Sequence, residues 1–537
     1  MSPESNNRQG ASKVSDPGNL RLLNRLNSRM KRKKHQLLPT LLRTDVALRI
    51  AADVILVNSS ILAAALIWLL FRRGALVAGA LPTIMGGRLS VVGYMVLWSC
   101  IAIAVFHLNG FYTRTRGYVS RYKLLVIARA VTLVAVLFGA VDRLVLQGNF
   151  SRAVITIGWA VMLLSVAAAR FAKDSLLSAY RIESRSRSSD KVERVLVLGG
   201  AGYLGSMLVP RLLRSGYKVR VFDSFMYGSA SLDSVKHHPA FESMKGDIRQ
   251  IEPVVEAMKD CDAVIDLAAI VGDPACEENR QLAVEVNRAA TRMLIDIAKG
   301  YGIRRFLFAS SCSVYGASEF LMDECSQVAP ISTYAQTKVD SENLLVEGAG
   351  ADFYPTVLRF GTLFGLSPRP RLDLVVNLLT AQAAIAGKIT IFNGTQWRPF
   401  LHVDDAGRAF IACLEAPPDV VSGEIFNVGD YELNHQLREI SEKVANFVPH
   451  VETNHVDNGD KRNYRVSFDK IHSRLGFRCE KSVDDGIAEM HQWIKATNLT
   501  DLSAVQFNNQ AMTRVFAETP DAQRSTFRVL EALARSA

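Results

Sequence analysis

The sequence predicts two architectures in one chain: an all-α region of four transmembrane helices, then an α/β domain on a doubly wound parallel sheet with a smaller C-terminal α/β part. Three observations predict this. The chain has 537 residues, more than one α/β domain needs. Its first third holds four apolar stretches, each long enough to span hydrocarbon as a helix. Further on, the apolar run Val195-Leu-Val-Leu198 opens directly into Gly199-x-x-Gly202-x-x-Gly205, a strand turning into a helix of the Rossmann type.

Residues 1–45 are rich in Ser, Asn and Arg and are expected to be a mostly disordered cytoplasmic segment, with a short amphipathic helix around Leu20–Met30. The four spans are expected near residues 50–71, 89–108, 124–141 and 153–171 of a region covering 46–175. Four such runs without polar helix faces exclude an ordinary buried core. Arg129 lies inside the third, close enough to its end to reach the interface. Lys and Arg number 11 in residues 1–49, 4 in 110–123 and 7 in 170–194, against 3 in 72–88 and 2 in 142–152. Positive flanks stay cytoplasmic, so both ends and the following domain are predicted inside.

The formal net charge of +11 conceals an asymmetry. Residues 1–194 carry 28 basic and 9 acidic side chains, and the remainder 35 and 43. The basic excess thus belongs to a membrane surface and predicts lipid, not nucleic acid, as its partner; Met30-Lys-Arg-Lys-Lys34 fits anionic lipid. No cleavable signal peptide is expected, because the first apolar run begins at residue 50. Seven cysteines, an odd number without Cys-x-x-Cys, fit a reducing compartment and no structural metal. Residues 176–193 read as a Ser/Arg-rich linker, 194–495 as the α/β domain and 496–537 as a helical tail.

In the glycine run, Gly199 permits the tight turn, Gly202 lets backbone approach phosphate and Gly205 lets the helix pack against the sheet. The pyrophosphate then sits on a helix N-terminus. Asp223 ends the next apolar run, Val219-Arg-Val-Phe-Asp223. An acid there suits a ribose 2′-hydroxyl and repels a 2′-phosphate, which predicts NAD over NADP.

Tyr334 and Lys338, in Tyr334-Ala-Gln-Thr-Lys338, are four apart and share a helix face. An ammonium and the positive nicotinamide ring both favour phenolate, so the tyrosine pKa is expected to fall toward that of a general base. Upstream lies Phe306-Leu-Phe-Ala-Ser310-Ser311-Cys-Ser-Val-Tyr-Gly316.

These residues, with Gly246-Asp247-Ile-Arg, Leu267-Ala-Ala269, Asn287 and Asn427-Val-Gly429, resemble the extended short-chain dehydrogenase/reductases over about Arg194–Trp493. The nearest resemblance is to NAD-dependent nucleotide-sugar 4-epimerases of the UDP-glucose/galactose type. It implies a catalytic set of Ser311, Tyr334 and Lys338, Ser311 bonding the sugar oxygen that Tyr334 deprotonates and Lys338 also holding the nicotinamide ribose. It further implies that Tyr203, Leu204, Asp247, Ile248, Leu267, Ala268, Ala269 and Asn287 join the glycines and Asp223 at the cofactor, Asn287 bracing the active-site helix. The C-terminal part would bind substrate: Asn377 and Leu378 at the base, Arg398 and Arg462 at the diphosphate, where a guanidinium gives bidentate contact.

Several positions depart from that pattern. Asp266 stands where many members have His, Thr362 replaces a sugar-contacting Asn, and Val271-Gly-Asp273-Pro-Ala-Cys276 is unlike the galactose enzyme. A 4,6-dehydratase needs an added acid and base, which its relatives supply as Asp-Glu straight after the catalytic Ser/Thr; here Cys312-Ser313 follows. The expected function is therefore a membrane-anchored NAD-dependent epimerase acting on a nucleotide sugar, with a UDP-sugar favoured. Dehydratase, reductase and decarboxylase chemistry, or a non-catalytic membrane scaffold, are the alternatives.

The span order also resembles the N-terminal region of bacterial membrane-bound dehydratases of polysaccharide biosynthesis, although the extra nucleotide-binding domain of those enzymes is missing. That resemblance implies the inner membrane and a glycosyltransferase at the cytoplasmic leaflet as partner. The short-chain dehydrogenase resemblance implies a homodimer.

Overall fold

The structure, a computed structural model, describes residues 50–68, 70, 91–109, 111, 120–146, 151–185, 191–457 and 459–519. The predicted N-terminal segment 1–45, with its basic cluster and short helix, and the end of the tail from 520 lie outside the described residues. The chain divides into two compact units, Met1–Thr113 with Arg121–Ser175, and Arg114–Ser120 with Leu176–Ala537.

In the first unit, helices Ile50–Trp68, Val91–Leu108, Ser120–Ala140 and Arg152–Arg185 coincide with the four predicted apolar stretches. Among the described residues two of them, Ile50–Trp68 and Arg152–Ala172, are long and apolar enough to cross a membrane. The expectation of four is corrected to that number. Val92–Leu108 is a shorter apolar helix, and Ser120–Ala140 carries Arg129 within it. The last helix also runs on through residues 176–185, half of the predicted linker, which contain neither Gly nor Pro to stop it.

This unit buries Tyr94, Trp98, Phe106 and Phe138, with the Trp98 and Phe138 rings edge to face at 4.7 Å. Its polar groups are paired inside: Arg170 donates to both Asp53 oxygens at 2.8 and 2.6 Å, Tyr94 donates to Asp142 at 3.1 Å, and Asn58 donates to Ser99 at 2.8 Å. Ile55, Leu66, Val92, Val136 and Leu164 point outward.

The second unit is built on the predicted sheet. Its seven strands are β1 (Arg194–Leu198), β2 (Lys218–Asp223), β3 (Phe241–Lys245), β4 (Ala263–Asp266), β5 (Arg305–Ser311), β6 (Tyr354–Phe360) and β7 (Glu424–Val428). All pair in parallel in the order β7-β6-β5-β4-β1-β2-β3, so the chain reverses direction across the sheet between β1 and β4. Buried on both faces, β1 reads as unbroken Val and Leu, with Val195 beside Val219 and Ala263.

Five helices matter for the site. They are α1 (Gly205–Arg214), α2 (Asp273–Glu278), α3 (Thr333–Gly348), α4 (Val375–Ala386) and α5 (Asn509–Ala517). Helix α1 starts at the third glycine and buries Leu208, Val209, Leu212 and Leu213 against the sheet. Helix α3 is capped by Ser332, whose hydroxyl accepts from Ala335 N–H. The smaller C-terminal part is made of short pairings. Strand Trp397–His402 lies between Thr362–Phe364 and Asn434–Gln436, Lys388–Phe392 pairs Glu452–Val456, and Ala317–Met322 pairs Asn463–Val466.

Helix α3 is fixed to the sheet by a buried ion pair. Arg359 on β6 donates to both Glu342 oxygens, at 3.0 and 2.6 Å, and to the Tyr315 hydroxyl at 2.9 Å, while the Ser310 hydroxyl also donates to Glu342. Removing one partner leaves a charge stranded in a dry interior. Glu342→Ala should lower the unfolding free energy of this unit by about 3–5 kcal/mol, read by urea unfolding on the fluorescence of Trp397 and Trp493. An unchanged midpoint would show that Arg359 is satisfied without Glu342.

Candidate functional site

A cavity of about 770 Å³ opens at the C-terminal ends of the strands, where open α/β sheets bind their ligands. The glycine turn forms one end. Gly199 has φ +77°, and a Cβ there would lie 2.9 Å from the Ala268 nitrogen. At Gly205 a Cβ would come within 2.6 Å of the Gly199 oxygen. The turn, β4 and α1 can therefore approach only as glycine backbone, which leaves a cradle open to phosphate.

Asp223 lines the cavity and fastens this cradle as well. Its carboxylate accepts from Ala201 N–H at 2.9 Å and from Phe225 N–H at 2.7 Å. Asp247, Ile248, Leu267, Ala268 and Ala269 line the same end, as do Gly202, Tyr203 and Leu204. Asp247 is held by fully buried Arg249, which also pairs with Glu285 at 2.9 Å; the sequence alone did not single out that arginine.

Asn287 is corrected. It is buried and does not line the cavity. It exchanges bonds with the Ile270 backbone at 2.8 and 3.0 Å, donates to Thr337 on α3 at 3.3 Å, and offers its main-chain oxygen to Ser341 at 2.7 Å. It braces the helix from outside the cavity.

At the centre, Ser311 ends β5 and faces Tyr334 and Lys338 on α3, all three lining the cavity. Lys338 donates to the Ala309 oxygen at 2.7 Å and its Nζ sits 5.7 Å from the centre of the Tyr334 ring. The expected fall in the tyrosine pKa is not what the protein produces by itself. Burial pushes the Tyr334 phenol up, Cys276 and Asp273 push it further, and Arg371 and the Ser311 hydroxyl offset only part. Burial likewise draws Lys338 down from 10.5 to about 8.

Beneath Lys338 lies Asp266, which burial pushes up to about 7 against the opposing pull of Lys338 and the Ala268 N–H. Cys312 is fully buried and outside the cavity, whereas Ser313 lines it with a hydroxyl unpartnered among the described residues.

The far end carries the two predicted arginines. Arg398, on strand Trp397–His402, donates to the Gln396 side chain at 2.9 Å and to the main-chain oxygens of Trp397 and Arg462 at 2.8 and 2.5 Å. Arg462 is bidentate to Asp460, at 3.0 and 2.6 Å, and reaches Asp273 at 2.5 Å. Both line the cavity, as does Leu378.

Asn377 does not, and its expected base contact is corrected. Position 377 faces inward on α4, where the side chain accepts from Gly365 N–H at 2.9 Å and donates to the Arg371 oxygen at 2.9 Å. Its neighbour Leu378 takes the cavity face. Arg369, Arg371, Asp373 and Asp273 also line the cavity, as do residues of the tail between Leu502 and Phe516. Only the departure at Val271–Cys276 hinted at any of these in the sequence.

The buried Asp266 makes a pH signature. Between pH 3.8 and about 7 the folded chain holds a proton that the unfolded chain has released, so stability is lost as pH rises through that window. Between about 8 and 10.5 the unfolded chain holds the extra proton at Lys338, and stability rises with pH. Asp266→Asn should make the first slope shallower, since burial raises Asp223 and Glu324 as well, measured by denaturant unfolding across pH; an unchanged slope would assign the proton elsewhere.

Residues 195–429 match the NAD dependent epimerase/dehydratase family. An uncharacterized UDP-glucose epimerase of Bacillus subtilis, YtcB, is 30% identical over 258 residues, 46% of this chain and 80% of that protein. A dTDP-glucose 4,6-dehydratase of Actinoplanes sp. is 28% identical over 323 residues, 56% of this chain and 98% of the relative. Among solved structures, the UDP-glucuronic acid 4-epimerase of Bacillus cereus in complex with UDP-glucuronic acid and NAD superposes with a TM-score of 0.52. It is 27% identical over 57% of this chain and 99% of its own. With a glycine cradle, an acid-tipped second strand and a Ser/Tyr/Lys centre in one cavity, the chain belongs to the NAD-dependent epimerase/dehydratase family.

Proposed function

We propose that the protein is a membrane-anchored, NAD-dependent epimerase of nucleotide sugars, acting at C4 of a UDP-hexose in the synthesis of a polysaccharide or glycan precursor. The carrying observation is the layout of one cavity: the glycine cradle at one end, Ser311, Tyr334 and Lys338 at the middle, and Arg398 with Arg462 at the other end. That order matches a dinucleotide, a reacting carbon and a second diphosphate laid end to end.

The cradle and Asp223 fit NAD, with the carboxylate toward the adenosine ribose. Bound NAD would supply a reversible hydride acceptor and a positive ring whose charge would draw the Tyr334 phenol down from where burial holds it. Tyr334 takes the proton of the sugar hydroxyl as the carbon–hydrogen bond is oxidised, and gives it back on reduction from the opposite face. Ser311 holds the oxygen, and Lys338 stays beside the phenol, anchored on the Ala309 carbonyl. Arg398 and Arg462 grip the diphosphate while the sugar turns over.

Dehydration needs a further acid and base, and two local candidates are spent. Cys312 is sealed away with its thiol pushed up by burial, and the Asp273 carboxylate is already taken by the Ser332 hydroxyl at 2.6 Å and by Arg462. The test is incubation of detergent-solubilised protein with UDP-, GDP- and dTDP-sugars, reading products by mass and NMR. Unchanged mass with C4 inverted is expected. Loss of water would replace the reading with a dehydratase, loss of CO₂ with a decarboxylase. Tyr334→Phe should reduce turnover about 10²–10⁴-fold; an undiminished rate would remove Tyr334 as the base, and wild-type protein that converts no nucleotide sugar would leave the scaffold reading instead.

Anchoring rests on the first unit: two apolar helices of spanning length, apolar side chains outward, and the Arg170–Asp53 pair turned inward. With both ends cytoplasmic, the catalytic unit would serve a glycosyltransferase at the inner face of the inner membrane. On fractionation the full chain should remain in the membrane pellet after an alkaline carbonate wash. Release into the supernatant would remove the anchor from the proposal.

A further inference from the structure

The tail beyond Trp493 lies outside the matched residues 195–429, yet it returns to the cavity. Leu499, Leu502 and Phe507 pack with Trp493 on a small core of Leu372, Ala381, Met490 and Ile494. From there the chain is fastened to two opposite walls. On one side the Leu372 N–H donates to the Phe507 oxygen, and the Asn509 N–H to Asp373, each at 3.0 Å. On the other, Gln510 and Arg514 of α5 donate to Glu278 of α2 at 3.0 and 2.5 Å.

Arg371, paired with Asp373, and Asp273, at the start of α2, are charges that act on the Tyr334 phenol. Arg371 also lies 5.9 Å from the centre of the Tyr203 ring beside the glycine turn, so the wall that holds Asn509 borders both the reacting centre and the cradle. There Asn509 lines the cavity, only 5% exposed, and its side-chain oxygen has no donor among the described residues. A buried carbonyl left unpaired carries its whole desolvation penalty, so such an atom at a cavity wall points to a donor on the ligand. The diphosphate has only acceptors.

We propose that Asn509 is a specificity-determining residue, its Oδ1 accepting a hydrogen bond from a hydroxyl of the substrate's sugar, and that Leu502–Phe516 is the wall that selects that sugar. This rests on the nucleotide-sugar reading above.

The test uses the full-length, detergent-solubilised protein and compares binding of UDP-glucose with binding of UDP alone. Asn509→Ala should weaken UDP-glucose about tenfold, the worth of one hydrogen bond, and leave UDP affinity and bound NAD unchanged. Unaltered UDP-glucose affinity overturns the proposal, since Asn509 then meets only water. An equal loss for UDP and UDP-glucose overturns it too, because the role is then general packing. If Asn509→Ala fails to retain NAD, Arg514→Ala decides: it frees α5 from Glu278 at an exposed contact and should weaken UDP-glucose selectively, and no change rejects the wall. Wild-type protein that binds neither UDP nor any nucleotide sugar sinks the nucleotide-sugar reading itself, a result distinct from a variant that matches wild type.

Discussion

The geometry of the active centre depends on the Arg359–Glu342 ion pair beneath helix α3. Glu342 sits on the same helix as Tyr334 and Lys338, two turns and one turn further along. Arg359 comes from β6, and its second bond, to Tyr315, continues through Asn427 at 2.8 Å into β7. One buried guanidinium thus registers the catalytic helix against two strands. Asn287 secures the helix from its other side through Thr337 and Ser341. Two charges buried together contribute little net stability, but a carboxylate and a planar fork allow few alternative arrangements. The value of the pair is that Tyr334 can meet Ser311 in only one way.

With the helix fixed, burial governs the chemistry. The same dry wall that holds the phenol and the ammonium raises one pKa and lowers the other, so the resting centre keeps its proton on Tyr334. In the proposed reaction the positive charge of bound NAD would draw that phenol back down. The Asp266 carboxyl is buried near Lys338, whose charge opposes the rise that burial gives it, so its proton reports on the charge of Lys338.

How much of this was legible depended on distance along the chain. The glycine run, the acid at the tip of β2 and the Tyr/Lys spacing are local, and each landed in the cavity as expected. Asn287 was legible as a brace for the helix, whereas Asn377 was legible as a residue of note but not as a structural one. Which face of a helix turns inward is decided by what packs on it, and one position separates buried Asn377 from cavity-lining Leu378. For a related reason spacing reveals the ammonium beside Tyr334 but not the depth at which both are buried, and that burial raises the phenol pKa of the protein by itself. In the N-terminal unit, apolar run length located four helices, of which two, among the described residues, meet the length and apolarity needed to cross a membrane.

By itself the sequence determined the doubly wound sheet and the glycine turn, acid and Tyr/Lys pair that line one cavity, because strand-to-helix turns and same-face pairs are set by neighbours in the chain. The tertiary structure alone decided which side chains line the far end of that cavity. The link from Arg462 to Asp273 spans 189 positions, and that from Arg514 to Glu278 spans 236. No local pattern encodes such contacts, since they form only when the packed core brings distant segments into register.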